Sequence, residues 1–139
     1  MSDNTAPQML LVEDEPLIRM VAADMLAMLG YDVLEAASGA EALAIAGDPT
    51  CRIDALMIDL GLPDQPGEMV ARIIREQRAD LPVIVTTGTD TAVAARRMTG
   101  CAVAAFLQKP YYFKDLEAVI VALTTAADAV TGPRLTAAL

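Results

Sequence analysis

Five polar side chains in this 139-residue sequence stand at or just past the ends of short apolar runs. Glu13 and Asp14 follow Met9-Leu10-Leu11-Val12, and Asp59 follows Ala55-Leu56-Met57-Ile58. Thr87 closes the run that begins Val83-Ile84-Val85, and Lys109 comes just after Ala105-Phe106-Leu107. If these runs are neighbouring strands, three carboxylates, a hydroxyl and an ammonium converge on one crevice. Three carboxylates that close repel strongly unless a cation joins them. An all-oxygen ligand set suits a hard divalent ion, and Mg²⁺ accepts one or two carboxylates while keeping waters and a substrate phosphate. The ammonium and the hydroxyl are then placed to receive the oxygens of a bound anion. Such a set is suited to phosphoryl transfer onto a carboxylate, its cations offsetting the charge that develops.

The elements that must position these groups are legible as a repeating pattern. The runs lack polar–apolar alternation, the mark of strands covered on both faces, as in a parallel sheet. Between them lie helical patterns. Pro16 opens the first, where its missing N–H is not needed, and Ile18, Val21, Ala22, Met25, Leu26 and Leu29 carry it to Gly30. A weaker strand at Val33-Leu34 leads to Ser38, which with Glu41 forms a capping box for a helix through Ala46. A loop with Gly61, Pro63, Pro66 and Gly67 precedes a helix with Met69, Val70, Ile73 and Ile74 on its apolar side and Arg72, Arg75, Glu76 and Arg78 outside. An alanine-rich stretch at 91–98 and the Leu116, Val119, Ile120, Leu123 pattern supply two more helices. Five strands alternating with five helices predict an α/β domain with a parallel sheet and helices on both faces. In such sheets the ligand site lies at the carboxyl ends of the strands, where the five polar groups stand.

Composition narrows the chemistry. Histidine is absent, which removes any Ser-His-Asp set, imidazole metal site or phosphohistidine within the chain. Cys51 and Cys101 are isolated, without metal-ligand spacing, and read as free thiols of a reducing, cytoplasmic setting. A net charge of −9 argues against nucleic acid as a partner, since that needs a basic stripe. No apolar run reaches the roughly 18 residues of a membrane span, so membrane insertion is not expected. Gly61, Gly67 and Gly88 make no GxGxxG pattern, which leaves dinucleotide binding without support.

Four motifs in order along the chain resemble the receiver domains of two-component response regulators, the CheY-like superfamily of bacterial signal transduction. They are Leu11-Val12-Glu13-Asp14-Glu15, Ile58-Asp59-Leu60-Gly61-Leu62-Pro63 with Gly67, Pro82-Val83-Ile84-Val85-Thr86-Thr87-Gly88, and Phe106-Leu107-Gln108-Lys109-Pro110. The resemblance covers about residues 8–125, leaving a disordered N-terminus at 1–7 and a tail at 126–139. It implies a doubly wound, flavodoxin-like fold with five parallel strands in the order 2-1-3-4-5. It also implies Asp59 as phosphoacceptor, and a Mg²⁺ ion held by Asp14, Asp59 and the backbone carbonyl of Gly61, with Glu13 completing the acidic pocket through water. Thr87 would hydrogen-bond the phosphoryl group and Lys109 would pair with it. Phe106 stands where the family has its switch aromatic, and the peptide before Pro110 is one that is cis in the family.

The function so implied is that of a phosphorelay protein. The donor would be a partner histidine kinase or histidine phosphotransfer protein. The output would run through a downstream protein target or a homodimer. The contact surface would be α4–β5–α5: the helix at 91–98 (α4), the strand at 105–107 (β5) and the last helix, 116–123 (α5). The chain would catalyse its own phosphorylation and dephosphorylation as a signalling switch rather than as a small-molecule enzyme, and would stand alone as a single domain. Two other readings remain: an adaptor of the same fold that binds partners regardless of phosphate, and a receiver fragment of a hybrid histidine kinase. Gly61 lacks a side chain to orient an attacking water, and Thr89 is short, which predicts slow hydrolysis of an acyl phosphate. The Asp64-Gln65-Pro66-Gly67 segment departs from the commoner Asp-Gly ending.

Overall fold

The computed structural model describes residues 6–131, with side chains through residue 125. Strands and helices alternate without exception: β1 (Gln8–Val12), α1 (Pro16–Met28), β2 (Asp32–Ala36), α2 (Gly39–Ala46), β3 (Ala55–Asp59), α3 (Gly67–Gln77), β4 (Val83–Thr87), α4 (Thr91–Arg97), β5 (Ala105–Gln108) and α5 (Phe113–Thr131). The strands form one parallel sheet in the order β2-β1-β3-β4-β5. This is the doubly wound, flavodoxin-like fold that the resemblance implies, and it has the parallel sheet with helices on both faces that the pattern predicts.

Each central strand is buried on both faces, because successive side chains point to opposite sides. Leu10 and Val12 of β1, Leu56 and Ile58 of β3, and Val83 and Val85 of β4 pack toward α2, α3 and α4. Met9 and Leu11, Met57, and Ile84 pack toward α1 and α5, against Ala22, Leu26, Leu116 and Ile120. β2 is an edge strand with one side chain fully buried, which is why its apolar signal is weak. Among the described residues no helix is long and apolar enough to cross a membrane.

Local signals set most element ends. Pro16 opens α1, and Gly30, at φ +98°, closes it where a side chain would be strained. Ser38 caps α2 by accepting from the Glu41 N–H at 3.1 Å, while Glu41 reaches back to the N–H of Ala37, one residue earlier than a capping box requires. Two expectations differ from what is found. Met69 lies on the exposed side of α3, whose buried stripe is Gly67, Val70, Ala71 and Ile74. α5 continues to Thr131 although its apolar spacing fades near residue 126, because alanine, a strong helix former, sustains it. Residues 1–5 and 132–139 of the expected flanking segments lie outside the described residues.

Candidate functional site

Three strand ends fix the acidic corner. The ladder runs one residue past β1, where the Glu13 N–H donates to the Ala36 carbonyl at 3.0 Å. Past β3 the Leu60 N–H donates to Thr86 at 3.1 Å, and past β5 the Lys109 N–H donates to Thr87 at 2.7 Å. Alternation then puts Glu13, Asp59 and Lys109 on the sheet side of Leu11, Met57 and Leu107. Their side chains meet. Lys109 Nζ lies 2.8 Å from Glu13 Oε1 and 2.8 Å from Asp59 Oδ2. One oxygen each from Glu13, Asp14 and Asp59 falls within 4.8 Å of the others.

Glu13 is 2% exposed and Asp59 5%, so their charges are largely removed from water. Burial pushes the Glu13 carboxyl above its ordinary range, with the Asp59 charge acting in the same direction. Hydrogen bonds from Lys109 and from the Glu15 N–H, at 3.0 Å, oppose it. Burial alone would lower the Lys109 ammonium, but its hydrogen bonds to Asp59 and Glu13 outweigh that and raise it above the ordinary lysine value. Lys109 therefore stays charged. One ammonium cannot balance three carboxylates, and the surplus negative charge on hard oxygen donors fits a divalent cation of the magnesium type.

The second oxygen of Asp59 is also held, since the Gly61 N–H donates to Oδ1 at 3.1 Å. Gly67 explains how the strand end is kept in place. A Cβ there would sit 2.5 Å from the Asp59 carbonyl oxygen and 2.6 Å from Leu60 Cα, so the first turn of α3 presses on the backbone of β3. At Gly61 a Cβ would lie 3.8 and 3.9 Å from the two carboxylate oxygens, an ordinary contact. A side chain would fit at Gly61, beside the Asp59 carboxylate.

Thr87 occupies a different corner. It shares the sheet side of Val85, and Phe106, opposite Val85 in the register, packs half-buried against that same cluster. Its hydroxyl is engaged within its own loop: it accepts from the Thr89 N–H at 3.0 Å and pairs with the Thr89 hydroxyl at 2.9 Å. Thr86 is equally buried but alternates to the side of Ile84. The Lys109–Pro110 peptide is cis. The structure thus brings Glu13, Asp59 and Lys109 into contact, with an Asp14 oxygen within 4.8 Å of the other two carboxylates, while Thr87 and Phe106 share the opposite face one strand away.

Several partners had no local signal in the sequence. Asp64 caps α2 from 25 residues away, accepting from the Gly39 and Ala40 N–H groups at 2.9 Å each, and these bonds hold its carboxyl below the usual range. Arg97 of α4 makes a bidentate pair with Glu68 at the start of α3, at 2.6 and 3.1 Å. Beside the site, an apolar groove of about 420 Å³ is lined by Leu17, Val21 and Met25 of α1 and by Lys109, Pro110 and Tyr111. Burial pushes the Tyr111 phenol up to about 12, so it remains neutral.

Fold and site together define a doubly wound domain with an acidic, lysine-paired crevice at its strand ends. The chain belongs to the response regulator receiver domain family, whose model matches residues 9–121. It is 35% identical over 111 residues to the sensor kinase CckA of Brucella abortus, a match covering 80% of this chain and 12% of that one. It therefore spans only a small part of that relative. The fold matches a CheY-like receiver domain protein from Methanospirillum hungatei with a TM-score of 0.81 at 23% identity, over 92% of this chain and all of that one. The receiver domain of the Pseudomonas aeruginosa sensor histidine kinase PA1611 matches with a TM-score of 0.73 at 30% identity, over 84% of this chain and 95% of that one. That structure has a magnesium ion coordinated in its active-site cleft.

Proposed function

We propose that residues 8–125 act as a phosphorelay receiver that takes a phosphoryl group from the phosphohistidine of a partner kinase or phosphotransfer protein onto Asp59. The observation that carries this reading is the Lys109 ammonium, 2.8 Å from both Glu13 and Asp59 in a corner that Asp14 completes. An Asp59 oxygen forms the new P–O bond as the P–N bond to the donor imidazole breaks, and the imidazole nitrogen leaves with the bonding pair. Lys109 holds the acceptor carboxylate in place and meets the charge gathering on the phosphoryl oxygens. The Gly61 N–H fixes the carboxylate plane. Asp14, Asp59 and the Gly61 carbonyl would hold Mg²⁺, with Glu13 joining through water. Bound there, the ion would supply neutralisation of the carboxylates and of the incoming phosphate charge.

The groove that Lys109 helps to line supports a docking route along α1, because the same lysine pairs with Asp59 and so puts an occupant of the groove beside the acceptor. Thr87 and Phe106, on the face that packs toward α4, are the means by which a phosphoryl group would shift the α4–β5–α5 surface for a downstream partner or a second copy, a change of population rather than of fold. Two free cysteines support a cytoplasmic setting.

Incubation with Mg²⁺ and acetyl phosphate or phosphoramidate, followed by intact-mass analysis, tests the chemistry. One added phosphoryl group is expected, labile to hydroxylamine and absent in Asp59→Ala. A folded protein that takes none would favour the phosphate-independent adaptor. The open flank at Gly61 gives a companion expectation: the acyl phosphate decays over minutes or longer, and Gly61→Asn changes that rate in a label-loss assay.

A further inference from the structure

We propose that Thr89 is a positioning residue whose hydroxyl holds Thr87 away from the acceptor, so that it sets how readily Thr87 reaches a group on Asp59. The inference rests on the reading of Asp59 given above. Thr87 is 2% exposed, and a hydroxyl buried that deeply must be partnered. Both partners come from one residue: the Thr89 N–H at 3.0 Å and the Thr89 hydroxyl at 2.9 Å. A threonine hydroxyl has one proton to give. While Thr87 Oγ1 is turned to residue 89, that proton or its orientation is committed there. Reaching an anion on Asp59 requires it to rotate and let go.

The cation and the hydroxyl donor available to Asp59 are therefore not equally prepared. Lys109 already stands on the carboxylate and needs no rearrangement. Thr87 must break its bonds first. Residue 89 is exposed, so water can replace what its N–H loses, and the cost of release lies in the hydroxyl–hydroxyl bond that a substitution can remove. The loop so released also leads straight into α4, because Asp90 caps that helix by accepting from the Ala92 N–H at 2.7 Å. The latch thereby links the turning of Thr87 to the first turn of α4.

The test is the affinity for beryllofluoride with Mg²⁺, a stand-in for the phosphoryl group, measured by calorimetry on the full chain and its variants. Removing one such bond is expected to tighten binding by about two- to tenfold in Thr89→Val. Thr89→Ser keeps the hydroxyl and should match the parent. In a Thr87→Val background the gain from Thr89→Val should vanish, which a merely structural effect of residue 89 would not produce. Equal affinity in Thr89→Val overturns the latch, as does a gain that persists without the Thr87 hydroxyl. Weaker binding also overturns it, by placing the Thr89 hydroxyl on the bound group. If the folded parent binds no beryllofluoride and takes no phosphoryl group, the reading of Asp59 fails and the latch with it.

Discussion

The two faces of the sheet are held in different ways. On the side of α2, α3 and α4, guanidinium groups bolt neighbouring elements together. Arg72 donates to the carbonyls of Arg97 and Thr99, Arg75 to Ala79 and Ala102, and Arg78 to Ala46 and Asp48. Arg97 adds its pair with Glu68. The α1 side is bare by comparison. Leu17, Met20, Val21 and Met28 of α1 are exposed, at 66%, 53%, 46% and 71%. Arg19 is the basic residue on that helix, and it turns inward to the Glu13 carbonyl and Glu35. The basic side chains of this acidic protein are thus largely spent within the chain, and α1 leaves an apolar surface exposed. One face is tied together by charged hydrogen bonds, and the other leaves apolar side chains in solvent.

The largest break in the bolted face is expected at Gly67. Its Cβ in Gly67→Ala would meet the Asp59 carbonyl oxygen and Leu60 Cα, backbone atoms that cannot swing aside. We expect a loss of about 3 kcal/mol, toward the upper end of what overpacking costs. Urea unfolding monitored by circular dichroism measures it. Because the strain falls on Asp59 itself, Mg²⁺ affinity should fall as well. A variant with parental stability would show that α3 does not brace the acceptor.

Arg78→Ala should cost about 2 kcal/mol, since it leaves the Ala46 and Asp48 carbonyls without their charged donor. The same denaturation experiment reads it, and a change below the noise would make the arginine bonds ornaments of a surface already solvated. Next in size is the Arg97–Glu68 pair. Its side chains are 36% and 22% exposed, so solvent screens it, and a double-mutant cycle of Glu68→Ala with Arg97→Ala should give a coupling of only about 1 kcal/mol. A coupling near zero would mean that α3 and α4 are free of one another at that point.

The two kinds of information were unequally legible in the sequence. Glu13, Asp14, Asp59 and Lys109 could be read because each terminates a run whose unbroken hydrophobicity marks a central strand, and strand ends of a parallel sheet converge. The starts of α1 and α2 could be read because Pro16 and Ser38 act within one helical turn. The bolts could not. Arg72 finds its carbonyls 25 and 27 residues on, and Asp64 finds its helix 25 residues back. No periodicity encodes such pairings, so the arginines of α3 read as a solvated face. Met69 was misplaced because hydrophobicity stood in for burial, when Gly67 and Ala71 take the inner positions by virtue of being small. The Thr87–Thr89 contact spans only two residues and was still hidden, since a hydroxyl in a loop can turn either way.

The smallest effect on stability is expected on the bare face, and it is the one that separates the two faces most cleanly. Leu17→Ser with Met20→Ser removes exposed apolar groups that touch little of the fold, so unfolding free energy should stay within about 0.5 kcal/mol of the parent. Phosphotransfer from a phosphorylated histidine-phosphotransfer protein should nevertheless slow by about thirtyfold, because apolar anchors at the rim of an approach route contribute on the order of 1 kcal/mol each to docking. The rate with acetyl phosphate, which needs no docking surface, should not change. Loss of both rates together would mean that the substitutions reach Asp59 through the groove wall rather than through a partner. Parental rates with both donors would move the docking surface off α1, leaving its exposed apolar residues without an account.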